Sequence, residues 1–138
     1  MEKVEHFFFG KTSRKSWIIG ILLLASFLRL HRIQDYMTFL GDEGRDVLVV
    51  YNILHGNLTL LGPTASVGGF FLGPIYYYFM APFLSLFNYN PVGPAIMVAL
   101  FGIATVFLIY KVGNEFFGYG TGLIAAFLYS ISPLVIAY

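Results

Sequence analysis

Gly41-Asp42-Glu43-Gly44-Arg45-Asp46 is the densest run of ionisable groups in an otherwise oily sequence. An Asp or Arg at the centre of a membrane helix costs roughly 2.5 to 3.5 kcal/mol, so burying its four charged residues in a bilayer would cost on the order of 10 kcal/mol. The stretch must therefore lie in water or at an interface, and the apolar runs on either side of it are separate elements. If the protein performs chemistry, these carboxylates are the first place to expect it.

Composition says what surrounds that stretch. The 138 residues are 58% hydrophobic, 19% aromatic and 11% charged, against about 45–50% apolar and about 25% charged in a globular domain. This is the composition of an integral membrane protein. Three long apolar segments fit into the length, few for a membrane enzyme with an enclosed site, so the chain reads as a small membrane module or as the N-terminal piece of a longer one. The net charge of +1 provides no basic field and excludes nucleic-acid binding. Cysteine is absent, which removes disulfides, thiolate metal sites and Cys nucleophiles. His6, His31 and His55 are scattered without metal-ligand spacing, and a divalent metal is not supported by the sequence.

Upstream of the acidic stretch, Lys3, Lys11, Arg14 and Lys15 and the run Phe7-Phe8-Phe9 precede an apolar segment from Trp17 to Leu30. Basic residues before a first hydrophobic helix place the N-terminus in the cytoplasm. No small-x-small cleavage site follows; Arg29, His31 and Arg32 come instead, so the segment reads as an uncleaved anchor. Its strictly apolar part is short, and Lys15 and Arg29 are expected to snorkel to opposite interfaces. The chain then emerges on the outer face over residues 31–40.

Downstream, Asp42 suits an N-cap position, with Glu43 and Asp46 in a first turn where the helix dipole favours negative charge. Val47, Val50, Tyr51 and Leu54 recur at helical spacing and Gly56-Asn57 supplies a stop, which predicts an amphipathic helix lying on the membrane surface. Helix capping alone would account for Asp42 and Glu43 without chemistry. Residues 58–73, with Gly62-Pro63, Ser66, Gly68-Gly69 and Gly73, read as a loop that lacks the ending of a nucleotide-binding P-loop. The Gly68-Gly69 backbone can approach a phosphate closely, although loop glycines are commonly only turns. Pro74 opens a helix running through Pro82 to about Asn88, whose three tyrosines and internal proline suit an interface. Val92 to Tyr110 is long enough to span, Lys111 follows it, Gly118-Tyr119-Gly120 makes a turn, and Thr121 to Tyr138 begins another span. Gly122, Ala126 and Ser130 recur every four residues as a face for close helix packing. The expected fold is all-α and integral to the membrane: about three transmembrane helices with two juxtamembrane helices in the first extracytoplasmic loop. If residues 74–88 span instead, there are four transmembrane helices and every later orientation inverts.

These motifs in order carry a resemblance. An N-terminal anchor is followed by Asp42-Glu43-Gly44-Arg45-Asp46 opening a helix, then by Gly73-Pro74-Ile75-Tyr76-Tyr77-Tyr78. Lys111-Val112-Gly113-Asn114-Glu115-Phe116-Phe117-Gly118 and Ser132-Pro133 come last. The whole resembles the N-terminal portion of GT-C-type membrane glycosyltransferases, in the protein-mannosyltransferase-like group that includes bacterial aminoarabinose transferase. The resemblance implies a single polytopic domain of which residues 1–138 are the beginning, truncated and inactive in isolation. It implies transfer of a sugar from a polyprenyl-phosphate-linked donor to an acceptor hydroxyl on a protein, lipid or glycan, at the extracytoplasmic face of the cell membrane. Matched by motif, Asp42 is the catalytic carboxylate and Glu43 its neighbour.

A carboxylate can take the acceptor proton, and a departing phosphate needs positive charge or backbone donors. Arg45, Arg29, Arg32, Gly68 and Gly69 are the candidates for the donor phosphate. Arginine at an outer interface is also a common headgroup anchor. Several relatives carry a lysine just before the proline that opens the second loop helix; Leu72-Gly73 stands there in this chain. The rival account is a non-enzymatic membrane module, a transporter fragment or an assembly subunit. No charge lies within Val92 to Tyr110 or Thr121 to Tyr138 to mark an ion path, which favours the enzyme.

Overall fold

In the computed structural model, residues 11–65 and 67–133 are described, with the side chains of 11–14 left aside. The expectations placed on Lys3, Phe7-Phe8-Phe9, Ser66, the side chains of Lys11 and Arg14 and the last five residues lie outside that description. The described residues form six helices and no strand: α1 (Lys11–Leu30), α2 (Ile33–Tyr36), α3 (Gly41–Leu54), α4 (Ile75–Leu86), α5 (Val92–Phe117) and α6 (Tyr119–Ile131). They divide into two units: residues 11–31 together with 99–133, and residues 32–98.

In the first unit, α1 packs against α6 and the body of α5. Ile21 and Ala25 of α1, Val106 of α5 and Ala126 of α6 share one buried cluster. The small-residue face expected on α6 is the face that packs, since Gly122, Ala126 and Ser130 are all buried. A methyl placed on Gly122 would stand 2.6 Å from the Asn114 backbone nitrogen and 2.8 Å from the Tyr110 carbonyl oxygen, so α5 and α6 touch backbone to backbone. The connection between them is tighter than Gly118-Tyr119-Gly120 suggests. Gly118 alone, at φ 89°, reverses the chain, and Tyr119 already belongs to α6.

Length and apolarity distinguish the helices. The 26 residues of α5 span about 39 Å at 1.5 Å per residue, and α5 is the one described helix long and apolar enough to cross a bilayer. It continues without a break past Tyr110 and Lys111 to Phe117. Helices α4 and α6 are apolar but shorter, at 12 and 13 described residues. The twenty residues of α1 include Lys11, Arg14, Lys15 and Arg29.

Arg29 departs from the snorkelling expectation. It is 1% exposed, and its Nη1 donates to the carbonyls of Ala25 at 3.4 Å and Ser130 at 3.3 Å, with the guanidinium 5.9 Å from the centre of the Tyr129 ring. Gly102 makes the room, since a methyl there would come within 2.8 Å of Arg29 Nε. Ser130 lies in the last turn of α6, where helix carbonyls lack intrahelical partners and the dipole favours a cation. Lys15, at the other end of α1, is exposed.

The second unit is built on α3 and α4. Val50 and Ile53 pack with Tyr77, Met80, Ala81 and Leu84, and Met97 from the start of α5 closes the cluster. The buried stripe of α3 is therefore turned from the expected one: Tyr51 and Leu54 are exposed, and the Tyr51 ring instead lies tilted against His55 and edge-on to Tyr89. After α4, Asn88 and Tyr89 adopt left-handed backbone and the Tyr89 N–H returns to the Leu84 carbonyl, while Asn90 Oδ1 accepts from the Val92 N–H to start α5. Residues 62–72 fold back on themselves. Gly62 N–H donates to Leu72 O, Leu72 N–H to Pro63 O and Ala65 N–H to Phe70 O, each at 2.9 Å.

Candidate active site

The acidic stretch opens α3, and the helix start divides its carboxylates by task. The N-cap position belongs to Leu40, whose side chain can accept no hydrogen bond, so Asp42 is not the cap that its residue type suggests. Glu43, three residues in, reaches back instead: its Oε2 accepts the Leu40 N–H at 3.0 Å, the carboxylate half of a capping box. Asp42 projects into solvent with its side chain 80% exposed, and its Oδ1 accepts from Arg45 Nη1 at 3.1 Å.

Asp46 is a carboxylate to which sequence alone gives no role beyond the first turn of the helix. Its side chain is 15% exposed, and one oxygen, Oδ1, accepts from three donors. These are Tyr77 Oη at 3.0 Å, Arg45 Nη2 at 3.1 Å and Arg45 Nε at 3.3 Å. The tie to Tyr77 joins α3 to α4 across 31 positions of sequence. A signal for it exists: Asp46, Val50 and Ile53 stand at i, i+4 and i+7, which places an acid at the head of an apolar stripe where it needs a partner. Tyr77 shares the corresponding stripe of α4 with Ala81 and Leu84.

Beside this tie lies an open cleft holding about 640 Å³ of empty space, part of it continuous with solvent. Its polar lining includes Glu43, Asp46 and Tyr76, and Phe39, Met80 and Pro94 are among its apolar walls. Partial burial and the nearby Asp46 and Glu43 charges push the Tyr76 phenol above its ordinary range. Burial, then the bond to Asp46, does the same to Tyr77. Both phenols are neutral donors at physiological pH. Arg45 is held more firmly as a cation by Asp46.

The candidate phosphate partners are not gathered here. Arg45 touches the acidic cluster but is shared by Asp42 and Asp46. Arg32 stands at φ 54° just before α2, where its Nε donates to Asp35 at 2.8 Å in an exposed ion pair. Arg29 belongs to the other unit and is buried there. Gly68 and Gly69 take left-handed backbone at φ 92° and 64° in the tip of the 62–72 loop, beside exposed Val67 and Phe70. None of these five residues lines the cleft, and neither does Asp42. Among the described residues no three His, Asp or Glu side chains come together as a metal site would require.

The stretch from residue 72 onward, which contributes Tyr76, Tyr77 and Met80 to this region, is also where comparison with known proteins succeeds. Residues 72–138 match the family model described as dolichyl-phosphate-mannose-protein mannosyltransferase. No curated protein and no solved structure matches the chain significantly. Residues 72–138, just under half of the chain, are therefore similar to the dolichyl-phosphate-mannose-protein mannosyltransferase family, a glycosyltransferase family of the GT-C type.

Proposed function

We propose that this chain is the N-terminal part of a membrane glycosyltransferase that moves a sugar from a polyprenyl-phosphate carrier to an acceptor hydroxyl on the extracytoplasmic face. The family match over residues 72–138 carries this reading. The acidic helix start beside a cleft supports it. In the topology that fits, α1, α5 and α6 belong to three spans, α3 and α4 lie along the outer surface, and the N-terminus is cytoplasmic. The three consecutive tyrosines near the start of α4 and Pro82 inside it suit an interface, which supports the three-span version over four.

Asp42 is the proposed base. The acceptor oxygen attacks the anomeric carbon, the bond from that carbon to the phosphate oxygen breaks, Asp42 takes the acceptor proton, and the polyprenyl phosphate departs with the electron pair. Solvent exposure suits a carboxylate that must meet an incoming acceptor, and Arg45 at 3.1 Å holds it in one direction. Glu43 spans two tasks, holding the start of α3 while facing the cleft. Two carboxylates repel an anion, and together with the Tyr76 hydroxyl they match the hydroxyls of a sugar or acceptor, with Phe39 and Tyr76 offering flat faces. The donor phosphate therefore belongs outside the cleft, near Arg32 or the Gly68-Gly69 amides, Arg45 being taken by Asp42 and Asp46. The Arg32–Asp35 pair is exposed and worth about 0–1 kcal/mol, so a phosphate can displace it.

The Glu43 bond to Leu40 favours one rival, a non-enzymatic module in which the acids only organise a helix. The test is transfer from labelled polyprenyl-phosphate sugars by membranes containing the full-length protein. The proposal expects incorporation that Asp42→Asn abolishes with accumulation unchanged; the rival expects no incorporation.

A further inference from the structure

We infer that Asp46 and Tyr77 are positioning residues for Asp42, acting through Arg45; the inference rests on the reading of Asp42 as the base. Asp42 is 80% exposed on a helix surface, where an i,i+3 partner such as Arg45 would ordinarily move freely. An arginine side chain carries about 2 kcal/mol of rotamer entropy, and a single exposed contact does not overcome it. Arg45 has more than one contact. Its Nε and Nη2 both donate to Asp46 Oδ1, at 3.3 and 3.1 Å. The guanidinium is planar, so fixing that edge aims the remaining Nη1 at Asp42.

Asp46 would itself drift on an isolated helix. It does not, because Tyr77, 2% exposed in the core between α3 and α4, donates its hydroxyl to the same oxygen at 3.0 Å. The order of support therefore runs from Tyr77 to Asp46, from Asp46 to Arg45, and from Arg45 to Asp42. Its origin lies in the apolar cluster of Val50, Ile53, Met80 and Leu84 that sets the spacing of the two helices. The arrangement also places a second negative charge behind Arg45. When Asp42 takes a proton and its attraction for Arg45 falls, Asp46 keeps the guanidinium from swinging away.

Kinetics of the full-length enzyme in membranes separate this from a merely structural role. The probes are a panel of labelled polyprenyl-phosphate hexoses and amino-pentoses, with the membranes supplying the acceptor. Tyr77→Phe removes one hydroxyl and keeps the packed ring, so it is the primary variant. It is expected to lower apparent kcat about tenfold with the donor KM changed less than about twofold, because misaiming a reacting group costs turnover rather than donor binding. Asp46→Ala is expected to lose at least as much, and Asp46→Asn, which keeps an oxygen for both donors, to recover part of it. The double variant Tyr77→Phe/Asp46→Ala should be no slower than Asp46→Ala alone, since both act along one path. Normal kcat in Tyr77→Phe and Asp46→Asn beside an inactive Asp42→Asn overturns this inference and leaves the base assignment standing. Multiplying losses in the double variant overturn it too. An active Asp42→Asn, or no incorporation by the unmodified enzyme from any donor, overturns the underlying reading instead.

Discussion

Replacing Gly122 with alanine tests whether the first unit is held by direct backbone contact of α5 and α6. The added methyl would lie 2.6 Å from the Asn114 nitrogen, 2.8 Å from the Tyr110 carbonyl oxygen and 3.1 Å from the Asn114 Cα. All three are backbone atoms, so no side chain can rotate out of the way. Restoring ordinary van der Waals contact requires the helices to part by most of an ångström, which also loosens the buried contacts of Ala126 and Val106. Overpacking of this kind costs about 1–3 kcal/mol. Against it stands the helix preference of alanine over glycine, about 1 kcal/mol at most. Gly120 provides the control. It lies in the same helix, and a methyl added there would meet no atom within 4 Å, so Gly120→Ala gains the preference without the collision. Thermal unfolding of the detergent-purified full-length protein should place Gly122→Ala several degrees below wild type and Gly120→Ala at or slightly above it. Equal melting of the two variants would refute the close approach.

Two further outcomes follow from the second unit. Glu43→Ala should lower stability by about 0.5–1 kcal/mol by removing the acceptor for the Leu40 N–H, and Glu43→Gln should restore it because an amide oxygen can accept the same bond. Detergent melts of the two variants check this. Spectroscopic titration should find the Tyr76 and Tyr77 phenols ionising above the ordinary tyrosine value of about 10. Because the fold favours their neutral forms, that contribution to stability is fully present below about pH 10 and is lost as pH rises through the raised values. Tyr77→Phe should remove part of the alkaline loss.

Much of the helical plan is legible in the sequence because its signals are local. Pro74 starts α4, Gly56-Asn57 follows the end of α3, and the four-residue spacing of Gly122, Ala126 and Ser130 marks the packed face of α6. What escapes depends on partners far away in sequence. Arg29 has the pattern of an interfacial snorkel because nothing near it reveals that Gly102 leaves room and that Ser130 presents a carbonyl. The buried face of α3 is turned because Tyr51 and Leu54 fit the apolar period as well as Ile53 does, and only packing against α4 separates them. Asp42 has the residue type of a cap, while the helix begins two residues earlier and the reciprocal bond from Glu43 serves the same end. The Asp46–Tyr77 tie needs two stripes on two helices to be read together.

The central claim is that the acidic start of α3 performs sugar transfer, and the direct measurement is incorporation of label from a polyprenyl-phosphate sugar by Asp42→Asn in the full-length enzyme. Asparagine keeps the shape and an oxygen for Arg45 while losing the ability to take a proton. Loss of a general base lowers turnover by about 10²–10⁴, so incorporation should fall at least about a hundredfold with membrane accumulation unchanged. Incorporation within about twofold of wild type would contradict the account, since an effect that small is outside what removal of a base produces.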